Sequence, residues 1–327
     1  MAFVNKYSSI IRRSNKSIVN IYEDEKIFFN FYDENNNLIK SKTLSKNIDL
    51  STLHFSLTKN DEIIGLYDDN SLKMIKIDKN DDITNQVVIN YDSNQFKTIF
   101  PYIEKIDDEV HIFYYVYSLN SDDTLAFFHH YQKDGFWTEN NIDFINNFII
   151  DKFTIIFEKN TPIAFYLNIV DGFEEVFYSR FNKKTLKWSK PYQITNSNKN
   201  KLYLSVMKND FFNITFLEKD DVGYRVRYLK FKDKIIKSKS ITDSSLYMYP
   251  SLLEYNKTLY IMFCDNNRIY NSKSMDNGDT WSEISLDTYS LENDFCKSYF
   301  LSNYEDDKSY NCTNVFSVYK NLDILGY

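Results

Sequence analysis

Six arginines, Arg12, Arg13, Arg180, Arg225, Arg227 and Arg268, are the side chains best suited to clamping a carboxylate. A guanidinium presents a rigid, planar fork of donors that matches a carboxylate bidentately. Arg12 and Arg13 adjoin each other, whereas Arg225 and Arg227 share one strand face at a spacing of two. The binding candidates are therefore Arg180, Arg225, Arg227 and Arg268. Acidic pairs such as Glu174-Glu175 and Asp220-Asp221 contain the groups a glycosidase needs, two carboxyls about 5–10 Å apart across a cleft. Among 46 acidic residues such pairs are not specific, and they read as charges in surface turns. His129-His130 is the one histidine pair, and on a strand its members point to opposite faces, which argues against shared metal ligation. Cys264, Cys296 and Cys312 form neither a zinc spacing nor a disulfide framework. With six glycines and no phosphate-cradling loop, the sequence assigns no catalytic residue, metal ligand or cofactor.

The elements that would position such residues come from a degenerate repeat. Three tryptophans mark it: Phe136-Trp137-Thr138-Glu139, Lys187-Trp188-Ser189-Lys190 and Thr280-Trp281-Ser282-Glu283. The near copies Leu38-Ile39-Lys40-Ser41-Lys42-Thr43-Leu44 and Ile235-Ile236-Lys237-Ser238-Lys239-Ser240-Ile241 occupy the same phase. Equivalent positions are then Ile39, Ile83, Trp137, Trp188, Ile236, Trp281 and Ile324, separated by 43 to 54 residues. About 20 residues ahead of each lies an apolar strand, for example Ile63-Ile64-Gly65-Leu66-Tyr67, Val110-His111-Ile112-Phe113-Tyr114 and Tyr299-Phe300-Leu301. Pro101 and Pro250 precede an inner strand three repeats apart. Four short strands per unit of this length predict an all-β chain, a β-propeller of seven blades of four antiparallel strands, with six blades as the alternative. Residues 1–327 are read as a single domain, with strands from both chain ends closing the ring.

Composition agrees. The chain has 27 Tyr and 27 Phe, which suit a pleated, half-buried surface, and 43% hydrophobic residues, enough for a core. Net charge is −7 with acids and bases interleaved, which argues against a nucleic-acid partner. No apolar run reaches membrane-spanning length. The polar N-terminal stretch and the odd cysteine count lead us to expect a cytoplasmic protein, or one assembled on a surface or spore without a signal peptide.

One turn is sharp: Ser274-Met275-Asp276-Asn277-Gly278-Asp279-Thr280-Trp281. It resembles the Asp-box (BNR repeat), Ser-x-Asp-x-Gly-x-Thr-Trp, of sialidase-like β-propellers. The resemblance implies a structural role for Ser274, Asp276, Gly278, Thr280 and Trp281, on a turn between the two outer strands of a blade. Sialidases of that architecture use three arginines, a Tyr–Glu nucleophile pair and an acidic proton donor, and open on an Arg-Ile-Pro signature that this sequence lacks. The expectation is therefore a non-catalytic propeller without sialidase activity, binding a protein or glycan partner. The alternatives are a divergent glycoside hydrolase and a structural component of a bacterial assembly such as a spore layer.

Overall fold

The computed structural model describes residues 2–44, 48, 50–120, 124–146, 151–312 and 314–326. It places almost every apolar run in a short strand, and among the described residues the strands form six sheets. Repeats 2 to 6 are up-and-down meanders whose innermost strands are His54–Leu57, Phe96–Ile106, Thr154–Glu158, Lys201–Lys208 and Met248–Tyr255. Repeat 1 comprises Phe3–Arg12, Ile18–Asp24, Lys26–Tyr32 and Leu38–Leu44. It shares a seven-stranded sheet with the C-terminal strands Phe295–Ser302, Asn314–Val318 and Ile324–Leu325, which make up repeat 7. The join is a parallel pairing of the two innermost strands, with Ser8 opposite Ser298, Ile10 opposite Phe300 and Arg12 opposite Ser302. The fold is a β-propeller in which seven repeats occupy six hydrogen-bonded sheets.

Six apolar clusters glue the ring, each lying between successive repeats. Phe29 and Phe31 of repeat 1 meet Phe55 and Ile75 of repeat 2 in one cluster, and Ile64 and Leu66 meet Ile112 and Tyr114 of repeat 3 in the next. The last packs Leu253 and Met262 of repeat 6 against Phe295 and Phe316 of repeat 7 and Ile10 of repeat 1. Because successive side chains on a strand face opposite ways, each middle strand feeds two clusters. Ile112 belongs to the 2–3 cluster and Phe113 to the 3–4 cluster, while Val226 faces repeat 6 and Leu229 faces repeat 4. Burial on both faces explains why second strands such as Ile63–Asp68 and Phe212–Lys219 read as largely apolar runs and not as alternating ones.

Ile39, Ile83, Trp137, Trp188 and Ile236 all fall at the start of outermost strands, and Trp281 just ahead of the short outer strand Ser285–Leu286. The repeat is physical as well as numerical. Ser179 Oγ donates to the Ser189 carbonyl at 2.7 Å, and Ser272 Oγ to the Ser282 carbonyl at 2.8 Å, 93 residues further on. Repeat 7 departs from the expected register. Tyr299-Phe300-Leu301 lies on its innermost strand, not its second, and Ile324 lies on its third. This repeat has three strands among the described residues, so counting back from Ile324 as an outer-strand residue shifts it by one strand.

Candidate functional site

The Ser274–Trp281 turn closes on itself as a turn of this sequence should. Asp276 Oδ1 accepts from the Ser274 hydroxyl (2.8 Å) and the Thr280 N–H (2.7 Å), and Oδ2 from the Thr280 hydroxyl (2.6 Å). These donors hold the Asp276 carboxyl well below the usual carboxylate range. Gly278 adopts φ 86°, and its N–H donates to Ser274 Oγ at 2.8 Å. The turn docks on the preceding repeat: Trp281 meets the ring of Tyr228 edge-on at 4.8 Å, and Lys230 pairs with Asp279 at 3.0 Å. Trp281 is half-buried, an inter-repeat clasp and not an anchor inside its own sheet. Trp188 does the same for repeats 4 and 3, its indole N–H donating to His129 Nδ1 at 3.1 Å. His129 in turn contacts His111 at 3.0 Å, while His130 faces the other way and meets the Tyr114 hydroxyl at 2.6 Å.

The arginines do not converge. Arg180 pairs with Glu158 at 2.7 Å, Arg225 with Asp220 at 2.8 Å and Arg227 with Glu218 at 3.7 Å. Arg225 and Arg227 sit on the third strand of repeat 5, Tyr224–Phe231, and not on its outermost strand. Arg268 is exposed at a hairpin, and Arg12 and Arg13 bind Asp307 and Asp81.

What does converge is a cavity of about 290 Å³ to which all seven innermost strands, or the residues leading into them, contribute. Tyr7 comes from repeat 1, His54 from repeat 2, Phe100, Pro101 and Tyr102 from repeat 3, and Asp151, Lys152 and Phe153 from repeat 4. Tyr203 and Leu204 come from repeat 5, Tyr249 from repeat 6, and Lys297, Tyr299 and Asn314 from repeat 7. Three of these aromatics are held in the left-handed region, Phe100 at φ 52°, Tyr203 at 56° and Tyr249 at 54°. Bulky residues rarely adopt that region. Each coincides with a break in strand register, between Phe113 and Tyr115, Leu202 and Ser205, and Met248 and Ser251. A bulge of this kind re-aims a side chain, and here three equivalent bulges supply an aromatic to one wall. The residue that follows is Pro101, Leu204 or Pro250. Proline has no N–H to satisfy, and the Leu204 N–H is taken by Asp151 Oδ2 at 2.9 Å.

Lys152 lies 4.6 Å from the Tyr7 ring centre and 5.4 Å from that of Phe100, and donates to the Tyr299 hydroxyl at 3.2 Å. Lys297 lies 5.2 Å from the Tyr249 ring and 6.0 Å from Tyr7. Burial, and then the charge of Lys152, push Lys297 down to about 8 against the pull of Asp151. Asp151 is raised by burial, opposed by the backbone N–H groups it accepts from. His54 stacks on Tyr102 at 3.9 Å, and burial together with Lys152 lowers it to about 3, so at neutral pH its imidazole is uncharged. Burial raises Tyr7, Tyr102, Tyr203 and Tyr249, keeping their hydroxyls protonated. The cavity thus offers flat aromatic faces, neutral hydroxyl donors, two lysines and one carboxylate already engaged by the backbone. Of these residues the sequence singles out Tyr299, as part of the apolar run Tyr299-Phe300-Leu301, and the prolines Pro101 and Pro250. The place the two prolines share beside a bulge is the signal that points to the wall.

No family model and no curated protein sequence matches the chain. Among solved structures it is similar to the polysaccharide lyase Uly1, with a TM-score of 0.57 and 9% identity over 87% of this chain and 82% of that one. It is also similar to the Aleuria aurantia lectin in complex with alpha-methyl-L-fucoside (TM-score 0.49, 11% identity, 87% and 96% covered). The parainfluenza virus 5 hemagglutinin-neuraminidase ectodomain gives a TM-score of 0.43 at 7% identity (88% and 82% covered). At such identities the likeness is one of fold alone.

Proposed function

We propose that this chain is a non-catalytic glycan-binding propeller whose ligand enters the central cavity. The observation that carries this reading is the set of eight aromatic or imidazole side chains, Tyr7, His54, Phe100, Tyr102, Phe153, Tyr203, Tyr249 and Tyr299, around one small cavity. Aromatic rings give rigid, amphipathic surface, apolar on the face and hydrogen-bonding at the hydroxyl edge, which matches a sugar ring with its apolar C–H face and polar rim. At about 290 Å³ the cavity is at the lower end of small-ligand pockets and suits one or two sugar residues, not a protein surface. Uly1, the fold neighbour with the higher TM-score, is a polysaccharide lyase by name, which is in keeping with a carbohydrate ligand. The hydrolase alternative is less well supported, because Asp151 is the only carboxylate lining the cavity among the described residues, and that chemistry calls for two. Membership of the Asp-box propellers is likewise our inference, supported by the hydrogen bonding of the Ser274–Trp281 turn.

The test is a glycan array followed by calorimetry on whichever glycan binds. Tyr102→Ala and Tyr249→Ala should each weaken binding about tenfold or more, the loss of one stacked aromatic. Arg268→Ala, remote from the cavity, should leave it unchanged. Absence of any glycan ligand, or binding indifferent to both tyrosines, would remove this reading.

A further inference from the structure

The cavity is electrically lopsided. Lys152 and Lys297 both approach the ring of Tyr7, at 4.6 and 6.0 Å from its centre, and neither is engaged in an ion pair among the described residues. The single nearby carboxylate, Asp151, accepts from the N–H of Leu204 at 2.9 Å and of Lys152 at 2.8 Å, so its lone pairs are largely committed to fixing backbone. Elsewhere the chain is acidic, with a net charge of −7. Two ammonium groups held close together in a low-dielectric, aromatic-walled space repel each other unless an anion lies near them. Among the described residues that line the cavity there is no further carboxylate. Asn314 Oδ1, buried in the same wall, has no hydrogen-bond partner among the described residues, and so adds an uncommitted acceptor next to Tyr299.

Resting on the glycan reading above, we infer that the ligand is an acidic sugar, carboxylated or sulfated, whose anionic group is seated by Lys152 and Lys297 while its ring lies against the tyrosines. This is not an arginine clamp. Lysine is a point charge, so the site selects for negative charge and leaves the orientation of the ligand to the aromatic walls. Asp151 then has a positioning role: it ties the repeat-5 bulge that presents Tyr203, and its charge favours the protonated form of Lys297.

The groups facing Lys297 are Lys152 and Asp151 from repeat 4, Tyr7, His54, Tyr102, Tyr203 and Tyr249 from the neighbouring strands, and Tyr299 from its own. With His54 near 3 and the buried tyrosines raised, Lys297, near 8, is the lining group that changes charge just above neutrality; Glu104, near 7 and hydrogen-bonded to Tyr102 behind the wall, ionises over the same range and adds to the loss of anion affinity. The full-length protein should be applied to an array of matched carboxylated, sulfated and neutral oligosaccharides at pH 7 and pH 9.5. Binding is expected on one or both acidic sets, at least about tenfold tighter than on the neutral set, and the two acidic sets tell which anion is meant. At pH 9.5 the acidic advantage should shrink about tenfold while neutral binding stays level. Lys297→Met should erase the advantage without abolishing neutral binding. Circular dichroism of the variant separates this effect from misfolding. Neutral glycans bound as tightly as acidic ones would overturn the charge selection and leave the glycan reading standing. No glycan bound at all would end both.

Discussion

Gly278 shows how one residue can bind two repeats together. Its φ of 86° excludes an ordinary side chain, and a Cβ there would lie 1.9 Å from the Tyr228 hydroxyl of the preceding repeat. Gly278→Ala should therefore cost about 1–3 kcal/mol, from backbone strain together with displacement of Tyr228. Urea titration followed by tryptophan fluorescence measures it, since Trp281 rests on the same ring. Glu104 is a second revealing residue. Burial raises its carboxyl to about 7, although the Ser56 and Tyr102 hydroxyls donate to it. Its folded value is above the unfolded one, so its stabilising contribution is complete below about 4.5 and is lost as pH rises through 7. Glu104→Gln should thus be more stable than the parent at pH 8, by about 2 kcal/mol, and show no such gain at pH 4. A melting curve of both proteins at the two pH values decides it. The turn at Gly278 was legible in the sequence, because eight adjacent residues carry it. Glu104 was not, because nothing local distinguishes it from the other acidic residues.

The same division holds for the elements. The second strand of each of repeats 1 to 6 was readable as an apolar run, since it is buried on both faces and hydrophobicity is its only requirement. The innermost strands were hardly readable. Their cavity residues are scattered a few per repeat, from Tyr7 to Tyr299, and the bulges that aim Phe100, Tyr203 and Tyr249 depend on backbone angles that no local propensity encodes. Only the prolines left a trace. Pro101, Leu204 and Pro250 occupy the same place after the left-handed residue, which yields a test of the equivalence. Leu204→Pro should fold, because two sister repeats already carry proline there. It should still lose about 2–3 kcal/mol with the N–H that Asp151 accepts and part of a buried side chain. Thr215→Pro, in the central strand Phe212–Lys219 that is paired on both sides, should abolish folding of the chain. Far-ultraviolet circular dichroism distinguishes the two outcomes. Loss of folding by Leu204→Pro as well would show that the bulges are not equivalent.

At the scale of the whole molecule the question is whether the ring behaves as one body. Each apolar cluster is shared by adjacent repeats, and the first and last repeats are joined through the parallel pairing of Phe3–Arg12 with Phe295–Ser302. In an open array, end units lack a neighbour and can fray separately. In this ring the N-terminal and C-terminal strands cover each other: Ser8, Ser298 and Ser317 form a buried hydroxyl chain with Ser8–Ser298 and Ser298–Ser317 contacts of 2.5 Å. We therefore expect the 327 residues to unfold as a single domain. Tryptophan emission reports repeats 3, 4 and 6 through Trp137, Trp188 and Trp281, whereas far-ultraviolet circular dichroism reports every strand. The two signals should trace coincident urea transitions with one midpoint. Removing residues 295–327 uncovers Leu253, Met262 and Cys264 on repeat 6 and leaves the strand Phe3–Arg12 as a bare edge. Such a protein should aggregate or fail to melt cooperatively, because an unpaired strand edge beside exposed apolar surface is a template for self-association. If the shortened chain stays monomeric in size-exclusion chromatography and keeps the parent midpoint, repeat 7 is an appendage. The stability of the ring would then have to come from the first six repeats alone.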